Sequence, residues 1–173
     1  MTPPFVTEPL DKKHDRSSFC CGSDALGRYF KERATQDIRR RVAGCFVAAD
    51  THGTVAGFYT LAAASVALDA LPEGFAKGLP RYPVVPAMLI GRLAVALEHQ
   101  GKGLGTALIA DAVVRADRLG IGAFALIVDA KDERAKAFYE TIGFVALPGQ
   151  PLRLCIPIET ALRGLRDLRG NPD

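Results

Sequence analysis

The sequence Gln100-Gly101-Lys102-Gly103-Leu104-Gly105 lies between an apolar run and a segment of helical periodicity. The apolar run, 88–97, is predicted to form a strand, and the following segment, 104–119, an amphipathic helix. Glycines at a strand-to-helix turn let backbone N–H groups approach an anion at the positive end of the helix dipole. The sequence therefore predicts that a phosphate-bearing molecule binds at this turn.

Two common phosphate-binding turns do not fit this segment. A P-loop has four residues between its first glycine and a Gly-Lys-Ser/Thr ending, whereas Lys102 lies between two glycines and no such ending follows. A dinucleotide fingerprint needs Gly-x-Gly-x-x-Gly, but counting from the first glycine puts Thr106 in the third glycine position. A third pattern, Gln/Arg-x-x-Gly-x-Gly/Ala, fits Gln100, Gly103 and Gly105 without adjustment. A glycine-rich turn that binds nothing remains the alternative.

Length and composition favour one globular domain covering 1–173. The chain has 173 residues, of which 49% are hydrophobic and 24% charged, values typical of a soluble domain with a substantial core. The longest uncharged apolar stretch, 54–68, is too short and too alternating to span a membrane. The N-terminus lacks the basic and apolar regions of a secretory signal. We therefore expect a cytoplasmic protein without a membrane span.

The cysteine pattern indicates neither a metal site nor a disulfide framework. The chain has four cysteines, and none has the Cys-x-x-Cys or His spacing of metal ligands. Bridging the adjacent Cys20 and Cys21 would require a strained ring, whereas reduced thiols are common in cytosolic proteins. We predict free thiols and no bound metal.

Positive charge is concentrated in two short clusters, although the net charge is only +3. Arg39, Arg40 and Arg41 are contiguous, and a second cluster repeats arginine at three-residue steps, at positions 163, 166 and 169. Either cluster could contact phosphates of a nucleic acid. The alternative for each cluster is a solvated helix face.

The hydrophobic pattern predicts an α/β fold with a mixed sheet and the element order β-β-β-α-β-α-β. Asp132 is placed to cap a helix that ends at Gly143. The proline-rich stretch 72–86 is predicted to be an ordered loop, and 65–71 a further extended piece. The other predicted helices are 24–29, 34–42 and 104–119, and the predicted strands are 4–10, 45–49, 55–63, 88–97, 124–129, 144–147 and 152–158.

Two motifs together carry a resemblance to a known family. They are Gln100-x-x-Gly103-x-Gly105 and Ala135-x-x-Phe138-Tyr139-x-x-x-Gly143-Phe144. With the element order over about 45–158, they resemble the GNAT superfamily of N-acetyltransferases. The resemblance implies a mixed, mostly antiparallel central sheet flanked by helices, with a glycine-rich pyrophosphate loop between a strand and a helix. It also implies acetyl-CoA as cosubstrate.

Further segments narrow the resemblance to the GNAT toxins of bacterial toxin–antitoxin modules. These segments are Gly57-Phe58-Tyr59-Thr60-Leu61, Leu79-Pro80-x-Tyr82-Pro83-x-x-Pro86, Gly91-Arg92-Leu93-Ala94-Val95 and Val128-Asp129-Ala130. Those enzymes acetylate the α-amine of aminoacyl-tRNA and so block translation. The resemblance therefore implies an aminoacyl-tRNA substrate, a cognate antitoxin and a homodimer.

Acetyl transfer from a thioester needs a held pyrophosphate, a polarised carbonyl, a neutral amine and a proton for the departing thiolate. The glycine turn supplies N–H donors for the phosphates. The backbone of Leu93 and Val95 could pair with the pantetheine amides like an added strand, and the Val95 N–H could reach the thioester oxygen. The predicted cofactor-binding residues are Leu93, Ala94, Val95, Gln100, Gly101, Lys102, Gly103, Leu104, Gly105, Thr106 and Phe138.

The resemblance makes Tyr139 the general acid beside the thiolate, the alternative being a tyrosine that only packs in the core. No carboxylate or histidine stands out as a general base, because Glu98 and His99 are equally explained as exposed turn residues. An α-amine with a pKa near ~7.7 needs less help from a base than a lysine amine near ~10.4. An α-amino substrate is therefore favoured.

Arg92 is a basic residue within an otherwise apolar predicted strand. It lies on an exposed face or is paired with a carboxylate such as Asp129, or else it lines the acceptor cleft. The sequence leaves this open, because a strand alternates its faces. With Arg39, Arg40 and Arg41 it forms the predicted substrate or RNA contact set. Two other functions stay open, an acetyltransferase for a small amine or a protein N-terminus, and a catalytically idle acyl-CoA-binding module.

Overall fold

The computed structural model describes residues 5–170. In order along the chain, its elements are β1 (Val6–Pro9), α1 (Asp24–Glu32), α2 (Ala34–Arg39), β2 (Gly44–Ala49), β3 (Val55–Ala67), β4 (Val84–Val95), α3 (Leu104–Arg118), β5 (Ala125–Asp129), α4 (Glu133–Ile142), β6 (Val145–Leu147), β7 (Gln150–Pro157) and α5 (Ile158–Leu168). Short 3₁₀ turns cover Leu68–Ala70 and Leu97–His99. None of the helices in the described part of the chain is long and apolar enough to cross a membrane.

The strands form one sheet in the order β1-β2-β3-β4-β5-β7-β6. β2 pairs antiparallel with β1 and β3, and β7 pairs antiparallel with β5 and β6. β4 and β5 are parallel, with Ala87–Ile90 opposite Ala125–Val128. The predicted α/β class, a mixed and mostly antiparallel sheet flanked by helices, is confirmed.

The chain forms two compact units, and β3, β4 and α3 each run through both. The first unit comprises the chain up to Ala62 together with Gly91–Asp111, and the second comprises Ala63–Ile90 together with the chain from Ala112 onward. A single domain over 1–173 remains a prediction.

The core of the first unit is built on stacked aromatic rings. The ring of Phe30 on α1 lies parallel to that of Phe58 on β3, with centroids 4.2 Å apart. Phe19 meets both rings edge-on, a geometry that aromatic quadrupoles favour. The Ser23 side chain caps α1 by accepting the Leu26 N–H. This packing attaches α1 to the sheet.

The core of the second unit covers β5 and β7 and holds the proline-rich segment in place. Ala125 and Ile127 of β5 are buried together with Cys155 of β7. Leu71 is buried in the same cluster, and Leu79 packs against it. Apolar side chains therefore anchor the segment 72–86, which the sequence predicted to be an ordered loop.

Several predicted boundaries are wrong. β4 begins at Val84, inside the predicted proline loop. The strand can include Pro86 because this residue contributes an acceptor: its carbonyl accepts the Phe124 N–H at 2.8 Å. β4 ends at Val95, where the 3₁₀ turn takes over. β3 continues to Ala67 as one strand where two pieces were expected. Smaller differences are the extension of α1 to residue 32 and the shortening of the first strand to 6–9, with Pro4 outside the described residues.

The predicted helix 34–42 ends early, at Arg39. The Val42 N–H bonds the Asp37 carbonyl and the Arg41 N–H bonds the Ile38 carbonyl, both at 3.1 Å. This pair of bonds is the Schellman ending of a helix, which requires a left-handed residue. Arg41 takes that conformation, with φ of 59°, so the arginine run forms a helix end and not a helix face.

Candidate functional site

The glycine turn presents an open backbone surface at the start of α3. Gly101 and Gly103 have φ of +74° and +84°, and no atom lies within 4 Å of where a Cβ would stand on either. The Gly103 carbonyl accepts the Ala107 N–H at 3.0 Å, so Gly103 occupies the N-cap position of α3. A glycine there has no side chain to satisfy the first N–H groups of the helix, which stay available to an external anion.

Those N–H groups belong to residues predicted to bind the cofactor. Leu104, Gly105 and Thr106 form the first turn of α3, and their N–H groups have no partner one turn back in the helix. Lys102 is exposed, and its Nζ donates to the Glu98 carbonyl at 3.0 Å. The turn and the helix start therefore form a cationic, donor-rich surface.

Gln100 fixes the shape of the turn from within. Its Nε2 donates to the carbonyls of Cys21 and Val95, each at 2.9 Å. Both amide protons are thereby used, so the Gln100 amide nitrogen acts in the framework of the turn. The carbonyl partner at Cys21 is a contact that sequence reasoning missed, because it lies in a segment with no motif of its own.

The last part of β4 presents alternating backbone groups on its two edges. The Arg92 N–H donates to Thr60 Oγ1 at 3.0 Å, and the Ala96 N–H to the Ala56 carbonyl at 2.8 Å, both toward β3. Because backbone N–H and C=O groups alternate between the two edges of a strand, those of Leu93 and Val95 point to the other edge. Within the first unit β4 is the outermost strand, so an extended ligand could pair with it there.

Arg92 is exposed and is held by an aromatic ring. Its guanidinium carbon lies 3.7 Å from the ring centroid of Tyr29, a cation–π contact. Burial and the 2.8 Å hydrogen bond that its hydroxyl donates to Asp37 raise the pKa of Tyr29 above its usual range. Of the two simple alternatives for Arg92, the structure shows the exposed face. Asp129, the carboxylate considered as its partner, pairs with Arg153 at 3.2 Å.

The arginine run lies in the same unit as this stacked pair. Arg39, Arg40 and Arg41 are all exposed, and they follow Asp37, the residue that anchors Tyr29. The sequence did not reveal the stacking of Arg92 on Tyr29, because the contacts join residues of α1, α2 and β4 that are far apart in the chain. The one local signal was an aromatic residue in the helix before a run of arginines.

Tyr139 lies in the second unit, on the well-defined helix α4. The Asp132 side chain accepts the Ala135 N–H, and Gly143 closes the helix with φ of 119°, as predicted. Tyr139 is 7% exposed and meets Phe138 and Phe144 edge-on. Burial raises its pKa to about 12, so the phenol is protonated at neutral pH. Its hydroxyl has no hydrogen-bond partner within residues 5–170, which leaves the proton available.

The thiols of the cysteines and the side chains of Glu98 and His99 are not among the predicted cofactor or RNA contacts. All four cysteines carry free thiols, and burial raises the pKa of Cys45 to about 12 and of Cys155 to about 11. Both thiols are therefore protonated and unreactive at neutral pH. Glu98 is exposed, and His99 packs edge-on against Phe5.

Comparison with known proteins identifies relatives along most of the chain. Residues 12–144 match the acetyltransferase (GNAT) family. A probable toxin TacT of Sinorhizobium fredii is 33% identical over 95% of both chains. A tRNA-acetylating toxin of Mycobacterium tuberculosis is 36% identical, over 85% of this chain and 88% of its own.

Solved structures agree in fold. AtaT complexed with acetyl-methionyl-tRNAfMet superposes with a TM-score of 0.84 at 29% identity, covering 93% of this chain and 99% of AtaT. A tyrosine-to-phenylalanine variant of AtaT, bound to the C-terminus of the antitoxin AtaR and to acetyl-CoA, gives 0.80 at 25% identity, covering 94% and 99%. With the family match over most of its length and relatives above 30% identity, this chain belongs to the acetyltransferase (GNAT) family.

Proposed function

We propose that this chain is an acetyl-CoA-dependent N-acetyltransferase that acetylates the α-amine of aminoacyl-tRNA and so acts as a translation-blocking toxin. Two features of the first unit carry the proposal. One is the anion cradle, by which we mean the open backbone N–H groups of residues 101–106. The other is the set of exposed arginines, namely the run 39–41 and Arg92, which stacks on Tyr29. The relatives that acetylate tRNA and the neighbour bound to acetyl-methionyl-tRNAfMet support it. The family membership makes the acetyl donor acetyl-CoA.

The donor would bind along the turn and the outer edge of β4. Its pyrophosphate would accept hydrogen bonds from the backbone N–H groups of Gly101 to Thr106, at the positive end of the α3 dipole. The pantetheine amides would pair with the backbone of Leu93 and Val95. The Val95 N–H would donate to the thioester oxygen and polarise it, while the Val95 carbonyl accepts from Gln100 Nε2. Ala94, Lys102 and Phe138 complete the proposed cofactor contacts.

The transfer requires one nucleophile and one proton donor. The amine nitrogen attacks the thioester carbon, the C–S bond breaks, and the sulfur leaves as a thiolate. We assign the thiolate's proton to Tyr139, whose phenol is protonated at neutral pH and would be reprotonated from solvent after the transfer. The attacking amine loses its own proton to water. An α-amine, with a reference pKa near ~7.7, has a usable neutral fraction without a dedicated base.

The acceptor RNA would be held by Arg92 and by Arg39, Arg40 and Arg41. Stacking on Tyr29 fixes the Arg92 guanidinium, so less side-chain entropy is lost when it meets a phosphate. Arg41 keeps a left-handed conformation that glycine would adopt with less strain. An arginine at a position that favours glycine supports a role for its charge in RNA binding.

We further propose a cognate antitoxin as protein partner, a homodimeric assembly and a cytoplasmic location. The neighbour bound to the C-terminus of the antitoxin AtaR supports the first of these. Acetylation of a small amine or protein N-terminus is the alternative activity, and an idle acyl-CoA-binding module is the alternative of another class.

Product analysis tests the function directly. The protein is incubated with radiolabelled acetyl-CoA and charged total tRNA, and in parallel with deacylated tRNA, a lysine peptide and simple amines. We expect label only on charged tRNA, released by mild base as an N-acetyl amino acid. Label on the amines or the peptide would favour the alternative enzyme, and no transfer at all would favour the idle module.

Gly103→Glu is expected to abolish acetyl-CoA binding, because a side chain and a negative charge would enter the cradle. Titration calorimetry measures the affinity. Gly74→Glu is the matched control, since Gly74 has φ of +85° and similarly open space. Wild-type affinity in a folded Gly103→Glu variant would contradict the assignment of the donor site.

Tyr139→Phe is expected to keep the fold and the acetyl-CoA affinity while turnover falls by about 10²–10⁴-fold, the usual value of a positioned acid. The ring still packs between Phe138 and Phe144, so only the proton donor is lost. Single-turnover rates measure the chemical step. Turnover close to that of the wild type would make Tyr139 a packing residue.

Replacing Arg39, Arg40 and Arg41 by Gln is expected to weaken tRNA binding and to flatten its dependence on salt, because each phosphate contact releases counterions. Acetyl-CoA affinity should not change. The matched control removes the same charge from Arg163, Arg166 and Arg169. Loss of tRNA binding in the control alone would move the RNA contact to that cluster.

Arg41→Gly separates stability from function. Glycine relieves the left-handed strain but gains freedom in the unfolded chain, so the free energy of unfolding should stay unchanged or rise by up to about 1 kcal/mol. Binding of tRNA should weaken in the same protein. Denaturant unfolding and tRNA titration measure the two quantities. Unchanged tRNA affinity would show that Arg41 is a solvent-exposed residue at a helix end with no role in RNA binding.

A further inference from the structure

Tyr82 differs from the other tyrosines of the chain. The chain has four, and Tyr29, Tyr59 and Tyr139 are buried, with hydrogen bonds or ring contacts inside the protein. Tyr82 is 67% exposed, and its ring and hydroxyl have no partner among the described residues. Its ring is therefore a hydrophobic and polarisable surface that the fold does not use.

The backbone is anchored on both sides of Tyr82. Pro80 and Pro83 fix two φ angles beside it, and the Pro83 carbonyl accepts the Leu68 N–H at 3.1 Å. Leu79 packs into the core of the second unit on one side, and Val85 is buried on the other. An exposed ring on an anchored support loses little entropy when it binds a partner.

The charged residues nearest to Tyr82 in the sequence are basic. Arg81 and Lys77 are exposed, and no Asp or Glu occurs between Glu73 and Glu98. An exposed aromatic ring with basic neighbours in the chain has the composition of a platform for single-stranded nucleic acid, where bases stack and phosphates meet Arg or Lys. One exposed carboxylate, that of Asp69, follows Leu68, whose N–H bonds the Pro83 carbonyl.

The position in the chain agrees with an acceptor contact. Tyr82 lies two residues before β4 in the chain, whereas the glycine turn follows the other end of that strand. An aminoacyl-tRNA carries its amino acid on an unpaired 3′ end, whose bases are free to stack.

We propose that Tyr82 is a stacking platform for an unpaired base at the 3′ end of the aminoacyl-tRNA, with Arg81 and Lys77 meeting the adjoining phosphates. This proposal rests on the proposed function, since it specifies how that substrate is held. Tyr82 positions the RNA and takes no part in the chemical step.

Steady-state kinetics with charged tRNA test the role of the ring. Tyr82→Ala should raise the KM for aminoacyl-tRNA roughly 5- to 100-fold, the value of one stacked base, and leave the KM for acetyl-CoA unchanged. Tyr82→Phe keeps the ring and should behave as the wild type. Ile121→Ala, which removes a side chain 70% exposed in the same unit, is the control and should also behave as the wild type.

Fluorescence reports stacking without turnover. A minihelix RNA with 2-aminopurine in its unpaired 3′ end should be quenched by the wild type and by Tyr82→Phe, and much less by Tyr82→Ala at matched saturation. Equal quenching and an unchanged KM in Tyr82→Ala would overturn the proposal. A Tyr82→Ala protein that acetylates tRNA normally but no longer binds its antitoxin would also overturn it, making Tyr82 a protein anchor.

The two proposals fail in distinguishable ways. Absence of acetyl transfer to charged tRNA by the wild-type protein would overturn the proposed function and the stacking role with it. Normal transfer by the wild type, combined with unaltered Tyr82→Ala kinetics and quenching, would overturn the stacking role alone.

Discussion

The two hydrogen bonds donated by the Gln100 amide are the constraint on which the candidate donor site depends. They tie the end of β4, at Val95, and the segment before α1, at Cys21, to the glycine turn. With the turn fixed in this way, Gly101 and Gly103 adopt left-handed conformations that expose their backbone. The N–H groups at the start of α3 are then unsatisfied by the protein and positioned for a phosphate.

A second constraint links the fold of the first unit to its exposed charge. The stacked rings of Phe30 and Phe58 hold α1 on the sheet, which places Tyr29 where it supports the Arg92 guanidinium. Asp37 holds the Tyr29 hydroxyl from α2, and the same short helix ends in the arginine run. A hydrophobic core thus determines where these cations are presented, and Arg41, the last arginine of the run, takes a left-handed conformation.

Local features were the ones that sequence could predict. The glycine turn, the Asp132 cap and the Gly143 stop each depend on residues close together in the chain, and all appear as expected. The end of α2 could not be foreseen, because a left-handed arginine replaces the usual glycine signal. The partner of Arg92 was also missed, since Tyr29 lies on another element and periodicity cannot tell which face of a strand is covered. The start of β4 was obscured by Pro86, which serves the sheet through its carbonyl alone.

Hydrogen exchange of the wild-type backbone amides, with and without saturating acetyl-CoA, tests the central claim most directly, because the claim concerns N–H groups and not side chains. The backbone amides of Gly101, Gly103, Leu104, Gly105 and Thr106 should exchange more slowly when acetyl-CoA is bound. Protection that appears elsewhere in the chain while these amides exchange at their unliganded rates would contradict it.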